Sequence, residues 1–128
     1  MHFINKQYFL SVVILLLLFT SGCKTSEQLI DGETFHCQGN SPFWKADVNN
    51  DEITFEITGG AKEVFPAVPS VENDGLKIFV TYIEKEGNKV WLKIKLKEGS
   101  CQTSAAGKTF PYKVEVERGE KIFYGCGE

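Results

Sequence analysis

Four cysteines, Cys23, Cys37, Cys101 and Cys126, are the side chains of this sequence with the widest range of chemistry. A thiol can form a disulfide, bind a metal ion, act as a nucleophile or carry a covalent modification. The cysteines form no C-x-x-C pair, and on a strand His36 and Cys37 would point to opposite faces, so these two neighbours are poorly placed to share one ion. We therefore expect no metal site and no cofactor.

Groups that could support hydrolysis are equally sparse. Apart from His2 near the start, the one histidine is His36. The sequence contains no G-x-S-x-G motif, which would expose a serine nucleophile. Paired carboxylates such as Asp51 with Glu52, or Glu84 with Glu86, lie beside turn signals, where solvated charge is the simpler explanation. The sequence therefore favours a protein that is not an enzyme, with a cell-wall-acting enzyme as the less favoured hypothesis.

The first 22 residues have the pattern of an export signal. Residues 8–19 are apolar apart from Tyr8 and Ser11, and Lys6 precedes them as a positive start. Twelve residues fall short of the roughly 20 that a membrane-spanning helix requires. We therefore predict that residues 1–22 are a signal peptide that is removed.

The position of Cys23 suggests what happens at the cleavage site. Thr20, Ser21, Gly22 and Cys23 resemble the lipobox of bacterial lipoproteins, in which the cysteine thiol receives diacylglycerol and becomes the new N-terminus. Thr20 departs from the pattern, which most often has leucine there. The alternative is an ordinary cleaved leader with Cys23 in a disulfide. Lipidation would place the protein in the cell envelope, and Lys24, where inner-membrane retention would require aspartate, favours the outer membrane, on its periplasmic or surface face.

Removing the leader leaves 106 residues with 13 of the 14 basic and all 17 acidic side chains, a formal charge of −4. This length predicts one small domain, residues 34–128, preceded by a lipidated, flexible stalk at 23–33. The acidic balance and the lack of any Lys/Arg cluster exclude nucleic acid as a partner.

Hydrophobic residues in the predicted domain recur with period two. In 90–97 one face carries valine, leucine and isoleucine, and the other carries Trp91 and three lysines, as a half-buried strand requires. We predict an all-β fold, a small antiparallel barrel or sandwich of about seven to eight short strands. The predicted strands are 35–37, 43–48, 52–57, 76–83, 90–97, 110–117 and 121–125.

Two places are candidates for a binding surface. Trp91 shares its predicted face with lysines, so it could stack on a sugar or meet an acidic partner, or simply pack against a neighbouring strand. Val64 and Phe65 lie in the least regular segment, 59–75, where an exposed loop could carry them as a contact surface. The alternative is that both pack against the open end of a barrel.

If Cys23 carries lipid, three cysteines remain in an oxidising compartment, and one disulfide is expected. Loop-closure entropy gives about 3.5 kcal/mol for Cys101 with Cys126 and about 4.6 for Cys37 with Cys126, too small a difference to decide. We favour Cys101 with Cys126, because each follows the end of a predicted strand. Cys37 remains the alternative partner, as the first strand could meet the last.

Short motifs link the chain to a known group of proteins. They are a glycine and Pro-Phe-Trp segment, a Pro-Tyr pair and a Gly-Cys ending, at 39–44, 111–112 and 125–126. Together they resemble a group of small bacterial envelope lipoproteins of unassigned function. The resemblance implies a bridge between Cys101 and Cys126 and no known catalysis. This chain departs from the group at Ser41, where members usually have Glu, and at 102–105, where they usually have Asp-Gly-Met-Ser.

The combined expectation is a lipid-anchored, non-enzymatic envelope protein that acts as a binding or structural module. Its partners would be the membrane, through the lipid, and an envelope protein or glycan. The alternative is a lysozyme-inhibitor-like lipoprotein, because membrane-bound inhibitors of that class are also small, lipidated, disulfide-bearing β barrels.

Overall fold

The computed structural model describes residues 32–103 and 107–128. The predicted leader, Cys23 and most of the predicted stalk lie outside these residues. The described chain is built from strands alone, so it holds no helix of the length and apolarity needed to cross a bilayer. The strands are β1 (Phe35–Asn40), β2 (Phe43–Val48), β3 (Glu52–Ile57), β4 (Glu63–Pro66), β5 (Val71–Asn73), β6 (Leu76–Lys85), β7 (Asn88–Gln102), β8 (Thr109–Arg118) and β9 (Lys121–Gly127).

All nine strands belong to one antiparallel sheet in the order β4-β3-β2-β1-β9-β8-β7-β6-β5. The all-β antiparallel prediction is therefore confirmed. In the described chain, backbone hydrogen bonds do not close the sheet into a barrel, because β4 and β5 stand at its two ends. The sheet nevertheless curls until β4 approaches β6, where the Thr81 hydroxyl donates to the Pro66 carbonyl at 2.8 Å.

The prediction of seven to eight strands was too low. The additional strands, β4 and β5, lie in segment 59–75, which the sequence presents as irregular. They are only four and three residues long, and Pro66 and Pro69 interrupt any alternation that could reveal them. Pro66 ends an edge strand, where its missing N–H breaks no ladder hydrogen bond.

Two tight turns set the register of the second half of the sheet. Asp74 and Gly75 join β5 to β6, and Glu86 and Gly87 join β6 to β7, with positive φ at all four residues. Two-residue loops of this kind match the twist of antiparallel strands. The turn at Glu86 and Gly87 aligns β6 with β7 over ten residue pairs, and every second side chain of each strand then faces the core.

The core lies on the concave face of the curled sheet. Trp44 is 2% exposed, and its ring packs near Phe55 and Phe123, with centroids 6.2 and 6.5 Å away. With Phe123 of β9, the core draws on every strand except β5, and its other side chains are Phe35, Cys37, Ala46, Val48, Ile53, Phe65, Phe79, Leu92, Ile94, Leu96, Val114 and Val116.

Two glycines make room for Trp44. Gly39 lies opposite Trp44 in the β1–β2 register, and a Cβ on it would lie 2.1 Å from the indole nitrogen. A Cβ at Gly125 on β9 would lie 1.9 Å from the Gln38 carbonyl oxygen and 2.8 Å from the indole ring. The indole N–H donates to the Tyr124 carbonyl at 3.3 Å. Trp44 therefore spans from β2 across β1 to β9.

The antiparallel order also defines two ends of the sheet. The start of β1 and the C-terminus lie together, because the His36 N–H donates to the Glu128 carbonyl at 2.8 Å. At the opposite end, called here the far end, lie the turns at 41–42, 58–62, 86–87 and 119–120.

Gly125→Ala should lower the free energy of unfolding by about 3 kcal/mol or more, because the added methyl overlaps backbone atoms that cannot move aside. Urea unfolding measures the change as a lower midpoint with an unchanged slope. Tyr124→Ala is the control: it lies next in the strand, is 68% exposed and should change stability by about 0.5 kcal/mol at most. Equal midpoints for Gly125→Ala and the unmodified chain would contradict the packing described.

Candidate functional site

A disulfide joins Cys101 to Cys126, with the two Cα atoms 5.5 Å apart. It is the pairing that the sequence favoured. The bridge links β7 to β9 across β8, which a register shift between Glu98 and Cys101 permits. Cys37, the alternative partner, is a buried free thiol on the inner face. Burial, with a further contribution from the negative charge of Asp47, raises the pKa of Cys37 to about 12, so this thiol is protonated and unreactive.

His36 and Cys37 lie on opposite faces of β1, as expected for neighbours on a strand. The His36 ring contacts Asp47 on the outer surface, with 2.7 Å between Nδ1 and Oδ1. Across residues 32–103 and 107–128, no group of three or more His, Cys, Asp and Glu side chains is placed to hold a metal ion.

Trp91 lies in a group of exposed side chains on the outer face, called here the aromatic patch: Val80, Tyr82, Lys89 and Trp91. Tyr82 and Trp91 are directly opposite in the β6–β7 register, with ring centroids 4.7 Å apart and planes inclined at 47°. The Lys89 ammonium lies 4.7 Å from the Tyr82 centroid and 5.8 Å from that of Trp91. Trp91 is still 46% exposed, so it packs against a neighbouring strand and also remains available for contact.

Val64 and Phe65 separate in the structure. Phe65 is 1% exposed and belongs to the core, so it is not part of a binding surface; alternation along β4 turns it inward. Val64 is 48% exposed on the outer side. Its neighbours in β4 contact β6, because Lys85 donates to Glu63 and the Thr81 hydroxyl donates to the Pro66 carbonyl.

The outer face beside the aromatic patch carries compensated charge. Lys95 on β7 contacts Glu115 at 2.9 Å and Glu117 at 3.1 Å on β8. Hydrogen bonds to these carboxylates raise the pKa of Lys95. This part of the sheet is therefore a solvated ion-pair surface.

A pocket of about 550 Å³ opens at the far end, called here the end pocket. Its floor is apolar and comes from Phe55, Ile57 and Phe123, and charged side chains stand around it. The residues belong to β3, β4, β6, β8, β9 and the turns between them, so no sequence pattern indicates the pocket.

Three charged residues meet beside the end pocket: Glu63 on β4, Lys85 on β6 and Arg118 on β8. Arg118 donates from Nε and Nη2 to the two Glu63 oxygens at 2.8 and 2.7 Å, and Lys85 Nζ donates to Oε2 at 2.9 Å. The hydrogen bond from Arg118 is the main cause that lowers the pKa of Glu63, against the opposing effect of burial. Glu63 in turn raises the pKa of Arg118. This charged cluster holds together strands that lie far apart in the sheet order.

The lowered pKa of Glu63 predicts a pH-dependent contribution to stability. The contribution is complete above the ordinary glutamate pKa and is lost as pH falls through the lower folded-state pKa. At neutral pH, Glu63→Gln should reduce the free energy of unfolding by about 1.5–3 kcal/mol, and the difference from the unmodified chain should shrink in strong acid. Urea unfolding over a range of pH measures it. Glu84→Gln, at an exposed position, is the control, and parallel pH profiles for Glu63→Gln and the unmodified chain would contradict the assignment.

Comparisons of the chain with protein-family models, with curated proteins and with solved structures give no match.

Proposed function

We propose that the chain is a lipid-anchored protein of the bacterial cell envelope, and that its β domain is a non-enzymatic binding module for an envelope glycan. The observation that best supports this location in the cell envelope is the disulfide between Cys101 and Cys126. Disulfides persist in oxidising compartments, which supports reading residues 1–22 as an export signal. The lipobox-like sequence ending at Cys23 supports anchoring.

Lipid on Cys23 would be sufficient for stable attachment. Each buried methylene contributes about 0.8 kcal/mol, so several acyl chains exceed the marginal binding of one. The stalk would reach the domain at the start of β1, the end that also holds the C-terminus. Attachment there leaves the aromatic patch and the far end exposed to partners.

The aromatic patch is the surface that best supports glycan binding. Sugar rings present apolar C–H faces, which stack on exposed aromatic rings, and paired strands hold Tyr82 and Trp91 rigidly. Lys89 beside both rings favours a glycan with acidic substituents. Val64 on β4 is a further exposed apolar side chain on the outer side.

The charged cluster supports binding over catalysis. Glu63 lines the end pocket together with the exposed Glu120, and hydrolysis of a glycan would require a carboxylic acid with a raised pKa to protonate the leaving group. Arg118 and Lys85 lower the pKa of Glu63, which keeps it ionised at neutral pH.

Intact mass and peptide mapping of protein extracted from membranes test the anchoring. We expect a chain that begins at Cys23, with added mass on that residue equal to diacylglycerol and its further acylation, and a Cys101–Cys126 peptide pair. A control variant, Cys23→Ser, should lose the added mass and leave the membrane fraction. Unprocessed, unacylated chain with reduced thiols would overturn the proposal.

Co-sedimentation with peptidoglycan sacculi tests the glycan assignment. Trp91→Ala should weaken binding by about five- to thirtyfold, because it removes an exposed aromatic contact while leaving the backbone pairing of β6 and β7 intact. Tyr124→Ala is the matched control, an exposed tyrosine on the outer face of β9 away from the patch. Equal sedimentation of both variants would contradict the assignment, and retention on immobilised lysozyme would instead favour an inhibitor.

A further inference from the structure

We propose that the end pocket binds a single-chain amphiphile with a carboxylate head, such as a medium-chain fatty acid. This site lies on the concave side at the far end, whereas the aromatic patch lies on the outer face. The proposal therefore goes beyond glycan binding and depends on different residues.

The floor of the end pocket accounts for the apolar part of such a ligand. Phe55 and Phe123 are buried, and Ile57 is half-buried at the end of β3. Together they line a volume of about 550 Å³, within the range of small-molecule sites, which are mostly apolar with a few convergent polar groups. An acyl chain on this floor would cover carbon surface that now faces water.

The charges around the pocket account for the head group. Arg118 donates from Nε and Nη2 to Glu63, and Lys85 donates to the same carboxylate. Lys121, at the start of β9, lines the same pocket and takes part in no salt bridge with the residues that the structure describes. Its ammonium is the cation that is available to an incoming anion.

The balance of charge favours a monovalent head. Three cations and two carboxylates line the pocket, the second carboxylate being Glu120, so the site carries one net positive charge. A carboxylate neutralises that charge, whereas a doubly charged phosphate would meet repulsion from Glu63 and Glu120. A cationic amphiphile would add positive charge to a site that is already net positive.

The pocket is also open to a ligand from solution. It lies at the opposite end of the sheet from the start of β1, where the predicted stalk joins the domain. The C-terminus at Glu128, which pairs with the start of β1, therefore lies away from it.

The experiment uses the mature chain, 23–128, with Cys23→Ser to prevent acylation, after the disulfide and a cooperative unfolding transition have been verified. Isothermal titration calorimetry compares decanol with octanoate, decanoate and dodecanoate. Each of the three carboxylates is kept below its critical micelle concentration. Affinity should rise about fourfold per methylene if the acyl chain is buried.

Three variants separate the contributions. Lys121→Gln should weaken decanoate binding about two- to fivefold and leave decanol unchanged, because it removes one exposed ion pair. Ala61→Trp, at an exposed position that lines the pocket, should weaken both ligands at least about tenfold by filling the space. Lys93→Gln, on the outer face, is the matched lysine control and should change neither.

An affinity independent of chain length, or unchanged binding in Ala61→Trp, would overturn the apolar site. Equal effects of Lys121→Gln and Lys93→Gln on decanoate would overturn the role of the carboxylate. Sedimentation of Ala61→Trp with peptidoglycan sacculi should match the unmodified chain, so the glycan proposal and the amphiphile proposal fail separately.

Discussion

The pairing of the first strand with the last is the constraint on which the rest of the structure depends. It joins the half of the sheet formed by β1 to β4 to the half formed by β5 to β9, and it contains few residue pairs: Cys37 with Gly127, and Gln38 with Cys126, beside the hydrogen bonds between His36 and Glu128. Trp44 reinforces this seam from the inside, because its indole crosses β1 and donates to a carbonyl of β9. The disulfide ties β9 to the end of β7, and so fixes the β9 side of the seam within its own half of the sheet.

Curling of the sheet around this seam explains why polar contacts are needed between β4 and β6. The two strands approach without backbone pairing, so side chains make the connections instead: the Thr81 hydroxyl to Pro66, and Lys85 with Arg118 to Glu63. A partly buried carboxylate at the end of the core lowers the stability of the fold unless several hydrogen-bond donors contact it. The charged cluster therefore closes the curled sheet and also leaves the end pocket beside it, with an apolar floor and a cationic margin.

The sequence predicts the long strands well and the short ones poorly. Segments such as 90–97 alternate strictly, because one face of the sheet is buried and the other is solvated. β4 and β5 have too few residues to show a period, and Pro66 and Pro69 suggest a loop. The disulfide partner stayed open because closing loops of different length costs similar entropy. The strand order alone does not decide it either, because β1 lies beside β9; Cys37 nevertheless stays a buried free thiol in the core, and Cys126 bonds to Cys101.

The candidate sites divide in the same way: some of their features can be predicted from neighbouring residues in the sequence, and others depend on which strands pair. Trp91 is visible in the sequence, since its place among lysines on one face predicts exposure. Its stacking partner Tyr82 becomes visible only through the register that the turn at Glu86 and Gly87 imposes. The end pocket is lined by residues from five strands. Both β3 and β9 contribute to it because the pairing of β1 with β9 joins the two halves of the sheet. A change that opens this seam would therefore disperse the pocket before it disturbs the aromatic patch, whose residues all lie on the β6–β7 hairpin.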